Sequence, residues 1–94
     1  MDTYNEHRMA TRQELRLLSG KKLAVGARQL KKALVAGKTE TVFLADNADP
    51  ALTEPIAELC RRQETRVLWV RIMEDLGRAC GIEVGAAAAA AVEE

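Results

Sequence analysis

Two short apolar runs constrain this chain more than anything else in it: Thr41-Val42-Phe43-Leu44-Ala45 and Arg66-Val67-Leu68-Trp69-Val70. Continuous apolar runs bounded by polar residues are the pattern of strands buried on both faces, as in the middle of a parallel sheet. Between them lies a turn, Asp46-Asn47-Ala48-Asp49-Pro50, then a helical stretch to about Gln63 with Leu52, Ile56, Leu59 and Cys60 inward. Pro50 and Pro55 are tolerable only near the start of that helix. Asp49 before Pro50 is best explained as its N-cap. Strands alternating with helices imply a layered α/β domain with helices on both faces of the sheet.

The remaining segments extend this pattern. Residues 1–8 read as frayed. Thr11 to Leu18 reads as a short helix with Leu15 and Leu18 on one side, stopped by Ser19-Gly20. Residues 22–26 alternate weakly and read as a short strand. Ala27 to Ala36 reads as a helix with Leu30, Ala33 and Leu34 inward, Arg28, Lys31 and Lys32 outward, and Gly37 just past its end. A last short helix runs from about Met73 to Cys80 and stops at Gly81. Six consecutive alanines follow Gly85. Their local propensity is helical, whereas a strand crowded on both faces also needs small residues.

A chain of 94 residues forms one domain. Cys60 and Cys80 lie far apart and form no CxxC, which suits reduced thiols in a cytoplasmic protein. The polar N-terminus has no apolar leader, and no stretch approaches the ~20 apolar residues of a membrane span. The formal net charge is zero, which by itself argues mildly against a nucleic-acid partner. The charges are segregated, however. Arg16 to Lys38 holds seven basic residues and no acid, and Glu40 to Glu58 holds five acids and no base. Two solvated faces would also produce that pattern.

Catalysis is poorly provided for. His7 is the single histidine and lies in the segment read as frayed and solvated. HExxH, GxSxG and P-loop patterns are absent. Glu74 and Asp75 are neighbours and so do not share a helix face. Asp46 and Asp49 have metal-ligand chemistry, but the capping role explains Asp49 better. No catalytic residue, metal site or cofactor is expected.

The informative segment is Gly26-Ala27-Arg28-Gln29-Leu30-Lys31-Lys32. A glycine before a helix lets a nucleic-acid backbone come close. The helix start offers unpaired N–H groups and a positive dipole end to phosphate. Arg and Gln can make paired hydrogen bonds to base edges. Lys31 and Lys32 can neutralise phosphates, with Lys32 on the same face as Arg28. An amphipathic helix with ordinary basic solvent residues would read the same way on spacing alone.

This segment resembles the signature of the ribosomal L7Ae family, whose members bind RNA kink-turns. Archaeal and eukaryotic members carry Gly-x-Asn-Glu-x-x-Lys at a helix start. Here Gly26 and Lys32 keep that spacing, and Arg28-Gln29 replaces Asn-Glu, as is similar in the bacterial branch. A second block, Leu76 to Ala86, resembles that branch closely, and Ala48 to Thr53 also matches. The resemblance spans residues 21–92 and leaves 1–20 as a partly helical N-terminal extension. It implies a three-layer α-β-α sandwich with a small mixed sheet, in which residues 86–92 are a strand despite their alanines. It also implies that Gly26, Arg28, Gln29 and Lys32 face the sheared G·A pairs of a kink-turn. Lys22 and Lys31 would add phosphate contacts. Arg71, Ile72 and Met73 would meet a splayed nucleotide, Ile72 and Met73 as exposed apolar loop residues, although Met73 could equally staple the helix start.

Two departures stand out: Arg28 is longer and charged where Asn stands elsewhere, and Glu74-Asp75 puts negative charge near the inferred RNA surface. The expectation is a structured-RNA binder associated with ribosomes, ribosomal RNA included. The alternative is a protein-interaction module on the same fold, using the N-terminal segment for protein partners.

Overall fold

The computed structural model describes residues 7–93. In chain order the elements are α1 (Arg12–Leu15), a 3-10 turn (Arg16–Leu18), β1 (Leu23–Val25), α2 (Ala27–Val35), β2 (Thr41–Ala45), α3 (Pro50–Arg62), β3 (Arg66–Val70), α4 (Met73–Ala79) and β4 (Ala88–Ala91). The strands form one sheet in the order β1-β4-β2-β3. β2 and β3 are parallel, and β4 runs antiparallel to both β1 and β2. The two apolar runs are therefore neighbouring parallel strands joined by α3, as their composition predicts.

Side chains alternate across the sheet and divide the core in two. Val42, Leu44, Ala88 and Ala90 face a layer that holds Leu30 and Leu34 of α2 with Ile56 and Cys60 of α3. Phe43, Ala45, Leu68, Val70 and Ala89 face a layer that holds Leu18 and Leu76. Helices thus cover both faces, and the domain is an α-β-α sandwich.

β4 shows why alanine occupies a strand here. It lies between β1 and β2, and Ala88, Ala89 and Ala90 are fully buried. One face meets Leu30 and Leu34, the other Leu18 and Phe43. Larger side chains would overpack both layers at once, at about 1–3 kcal/mol each. Tertiary crowding overrides the helical propensity of the alanine run, and the strand spans four residues rather than the whole of 86–92.

Three details depart from the sequence pattern. Leu52 is 47% exposed, and Thr53 is buried in its place. Thr53, Ile56 and Cys60 share one helix face, and Leu52 is turned about 100° from Thr53. The segment from Thr11 to Leu18 is one short α-helix followed by a 3-10 turn. His7 is not simply solvated: its ring stacks on Trp69 with centroids 4.0 Å apart and 16° between planes, and Nε2 lies 2.9 Å from an Asp46 carboxylate oxygen. The backbone that follows pairs with β3. Trp69 N donates to Arg8 O at 2.8 Å, and Ala10 N donates to Trp69 O at 2.7 Å. Residues 8–10 thereby cover a sheet edge that would otherwise stand open. Residues 1–6, read as frayed, lie outside the described residues.

Candidate nucleic-acid interface

Because β4 is antiparallel to its neighbours, β1, β2 and β3 all point the same way. Their carboxyl ends share one edge of the sheet, the edge at which open α/β sheets hold ligands. Gly26 to Gln29 leave β1 there, Asp46 to Asp49 leave β2, and Arg71 to Met73 leave β3. Hydrogen bonds tie these loops together. Gly26 N donates to Ala88 O at 2.8 Å, Ala45 N to Ala87 O at 2.9 Å, and Asp46 N to Val70 O at 2.7 Å. Met73 N donates to Asn47 Oδ1 at 2.8 Å, and Ala86 N to Met73 O at 3.0 Å.

The start of α2 is the most open part of this edge. Gly26 is its N-cap at φ 95°, ψ 151°, a conformation that essentially only glycine adopts. It offers no side-chain acceptor, and the first turn contains no acid. The first-turn N–H groups are therefore left to whatever approaches. Leu30 and Leu34 bury the inner face, and Arg28 and Lys32 lie one turn apart on the outer face. Arg28, Gln29, Lys31 and Lys32 are exposed. Gly26, Arg28, Gln29 and Lys32 thus come together as one surface. Lys31 flanks it on the same helix. Lys22 does not join it: it precedes β1, roughly 13 Å from Gly26 at strand rise, at the opposite end of the sheet.

The start of α4 is closed. Asn47 caps it from the neighbouring loop, and Glu74 and Asp75 occupy its first turn. Of the two apolar residues expected in the open, only Ile72 is, at 40% exposure. Met73 is half-buried against the Phe43 and Leu76 cluster, which draws it inward. The loop from Gly81 to Ala87 lies tightly on α4. A side chain at Gly77 would collide with the Val84 carbonyl, and one at Gly85 would come within 2.9 Å of Met73 Cβ. Arg71 is exposed beside Ile72.

Most acids on this edge already have partners. Asp46 faces His7, Asp49 accepts from Ala51 N at 2.9 Å, and Asp75 accepts from Arg78 at 3.2 Å. Burial pushes the Cys60 thiol up to about 12 and raises that of Cys80. Among the described residues no group of three or more His, Cys, Asp or Glu side chains could hold a metal, and no helix is long and apolar enough to cross a membrane.

The family model described as the ribosomal protein L7Ae/L30e/S12e/Gadd45 family matches residues 9–94. The chain belongs to this family. The match takes in α1 and the 3-10 turn, which the motif resemblance left outside. A relative from Bacillus pumilus, named an RNA-binding protein, is 43% identical over 68 residues, covering 72% of this chain and 83% of the relative. RNA-binding protein YbxF of Geobacillus stearothermophilus is 35% identical over 75 residues, covering 80% of this chain and 92% of YbxF. The large ribosomal subunit protein eL8 of Halobacterium salinarum is 35% identical over 68 residues, 71% of this chain and 57% of eL8. Among solved structures, the 15.5kD RNA binding protein of Giardia lamblia superposes with TM-score 0.80 at 24% identity, over all of this chain and 85% of that one. That superposition bears on the fold, which is the L7Ae-type sandwich described above.

The sequence pattern did not point to His7, Arg12 or Trp69 as parts of a surface. One local signal was present, the capping box Thr11-x-x-Glu14. Glu14 N donates to Thr11 Oγ1 at 3.1 Å and Thr11 N to Glu14 Oε1 at 2.8 Å, which sets where α1 begins.

Proposed function

We propose that this chain is an RNA-binding protein that recognises a kink-turn or a similarly structured RNA as a cytoplasmic, ribosome-associated factor. The observation that carries this reading is the uncapped, acid-free start of α2 on the carboxyl edge of the sheet, with Arg28, Gln29 and Lys32 exposed around it. Dipole and free N–H groups suit a phosphate. Arg28 and Gln29 suit the base edges that sheared pairs expose and a regular A-form helix hides. Exposed Ile72 offers an apolar surface to an unstacked nucleotide beside Arg71. Relatives named as RNA-binding proteins over most of their length support the same reading. The relatives are named as RNA-binding proteins and not as enzymes, which supports a non-catalytic role.

The test is titration of the protein against a labelled kink-turn RNA beside the same RNA with its G·A pairs replaced. Tight binding to the intact kink alone is expected. Weak, equal binding to both would overturn the reading and direct attention to protein partners. Salt supplies a second check. With Arg28, Lys31 and Lys32 neutralising about three phosphates, affinity should fall roughly 40-fold between 50 and 200 mM salt.

A further inference from the structure

Beside the proposed RNA edge lies a groove of about 550 Å³ between the N-terminal segment, β3 and α4. Met9, Leu15, Val70 and Ala79 contribute its apolar lining, and Arg12, Arg71, Arg78 and Asp75 contribute the charge. Its net charge is positive, three guanidiniums against one carboxylate. Arg78 is engaged with Asp75 at 3.2 Å. Arg12 and Arg71 are exposed and carry no hydrogen bond or ion pair among the described residues.

The register explains why these residues meet. Met9 bridges Trp69 in parallel, so the N-terminal segment runs alongside β3 toward the carboxyl edge. Arg12 then arrives just beyond the level of Val70, next to Arg71. His7 stacked on Trp69 and the Arg8–Glu14 ion pair at 2.8 Å anchor the segment in that position. Arg71 belongs both to this groove and to the loop beside Ile72, so the groove adjoins that loop.

We infer that this groove is a second RNA subsite, which takes the single-stranded phosphodiester backbone flanking the structured element held at α2. The inference rests on the RNA-binding reading above and assigns the N-terminal segment to RNA. Guanidiniums bind phosphate oxygens in pairs and are weakly hydrated, which suits them to a shallow channel along a strand.

The experiment compares a kink-turn RNA ending flush with the same RNA carrying a flank of about six nucleotides, a length within the usual span of a single-strand site. Each is titrated with wild type and with the Arg12→Gln/Arg78→Gln double variant at several salt concentrations, with circular dichroism as a check on folding. For wild type the flank should raise affinity about tenfold and steepen the log–log salt slope by about two, as three single-strand phosphates require. The double variant should lose both effects of the flank. If the flush RNA binds tightly and the flank adds nothing, the groove inference is overturned and the RNA-binding reading stands. If neither RNA binds, both fall. If the flank adds nothing and a polyglutamate peptide binds wild type but not the double variant, the groove serves an acidic protein partner and the inference is likewise overturned.

Discussion

Two helices begin on the same edge of the sheet, and they begin in opposite ways. α2 starts at Gly26 with no cap and no acid in its first turn, and its outer face is Arg28, Gln29 and Lys32. α4 starts at Ile72 with its first N–H held by Asn47, with Glu74 and Asp75 in its first turn, and with Gly85 against Met73. The dipole of α4 is complemented by the protein's own acids and amide, and that of α2 by nothing among the described residues. The difference separates the two jobs of this edge. α4 is a finished structural joint that presents Ile72 and Arg71, and on the proposed function the start of α2 takes an external anion.

The largest expected effect breaks the open start. Arg28→Ala with Gln29→Ala should weaken binding to an intact kink-turn by about 100-fold, from about 3 kcal/mol of lost base-edge and phosphate contacts, and should abolish discrimination against the G·A-replaced RNA. Both residues are exposed, so the melting temperature should hold. Equal affinities of variant and wild type in a gel-shift titration would show that the start of α2 does not read the RNA.

The next effect breaks the closed start. A methyl group at Gly77 would meet the Val84 carbonyl. Gly77→Ala should therefore displace the loop from Gly81 to Ala87 and cost about 2 kcal/mol. For a domain of this size that is a fall of roughly 10 °C in melting temperature. An unshifted transition by calorimetry would mean that the loop does not need to lie on α4.

How much of this was legible follows from what each element depends on. The β2 and β3 runs and the α2 stripe are set by local composition, and they stand where hydrophobic pattern places them. The alanine strand needed more, because propensity favours a helix and only the crowding by Leu18, Leu30, Leu34 and Phe43 decides otherwise. Leu52 misled because an apolar residue at near-helical spacing is not inward when Thr53 occupies that position. At the candidate site, the spacing of Gly26, Arg28, Gln29 and Lys32 suffices to bring them together on one helix. Lys22 stands apart from that group for a different reason, since sequence proximity to Gly26 conceals that a three-residue strand separates their ends. The Arg12 groove was not legible, since it depends on a backbone bridge between residues 60 positions apart, Met9 and Trp69.

A smaller effect sharpens the comparison. Asn47→Ala removes the acceptor from Met73 N and should cost about 1 kcal/mol, in the range of other lost helix caps. Asn47→Asp keeps an acceptor and adds a charge favourable to the dipole, so it should restore stability. If the alanine and aspartate variants melt together below wild type, the amide acts through something other than the cap.

The smallest effect concerns Glu74, and it should move stability and binding in opposite directions. Glu74 is exposed in the first turn of α4, where negative charge favours the helix dipole. Glu74→Lys should therefore cost about 0.5 kcal/mol of stability. The same change replaces a negative charge near the proposed phosphate path with a positive one. If α4 borders that path, affinity should rise severalfold and the log–log salt slope should steepen by roughly one, the release of about one more counterion. Chemical denaturation measures the first quantity and titration at several salt concentrations the second. A loss of stability with no change in slope would place the RNA on the α2 side alone. A gain in affinity would show that the acids closing α4 stabilise that helix start at the expense of RNA binding.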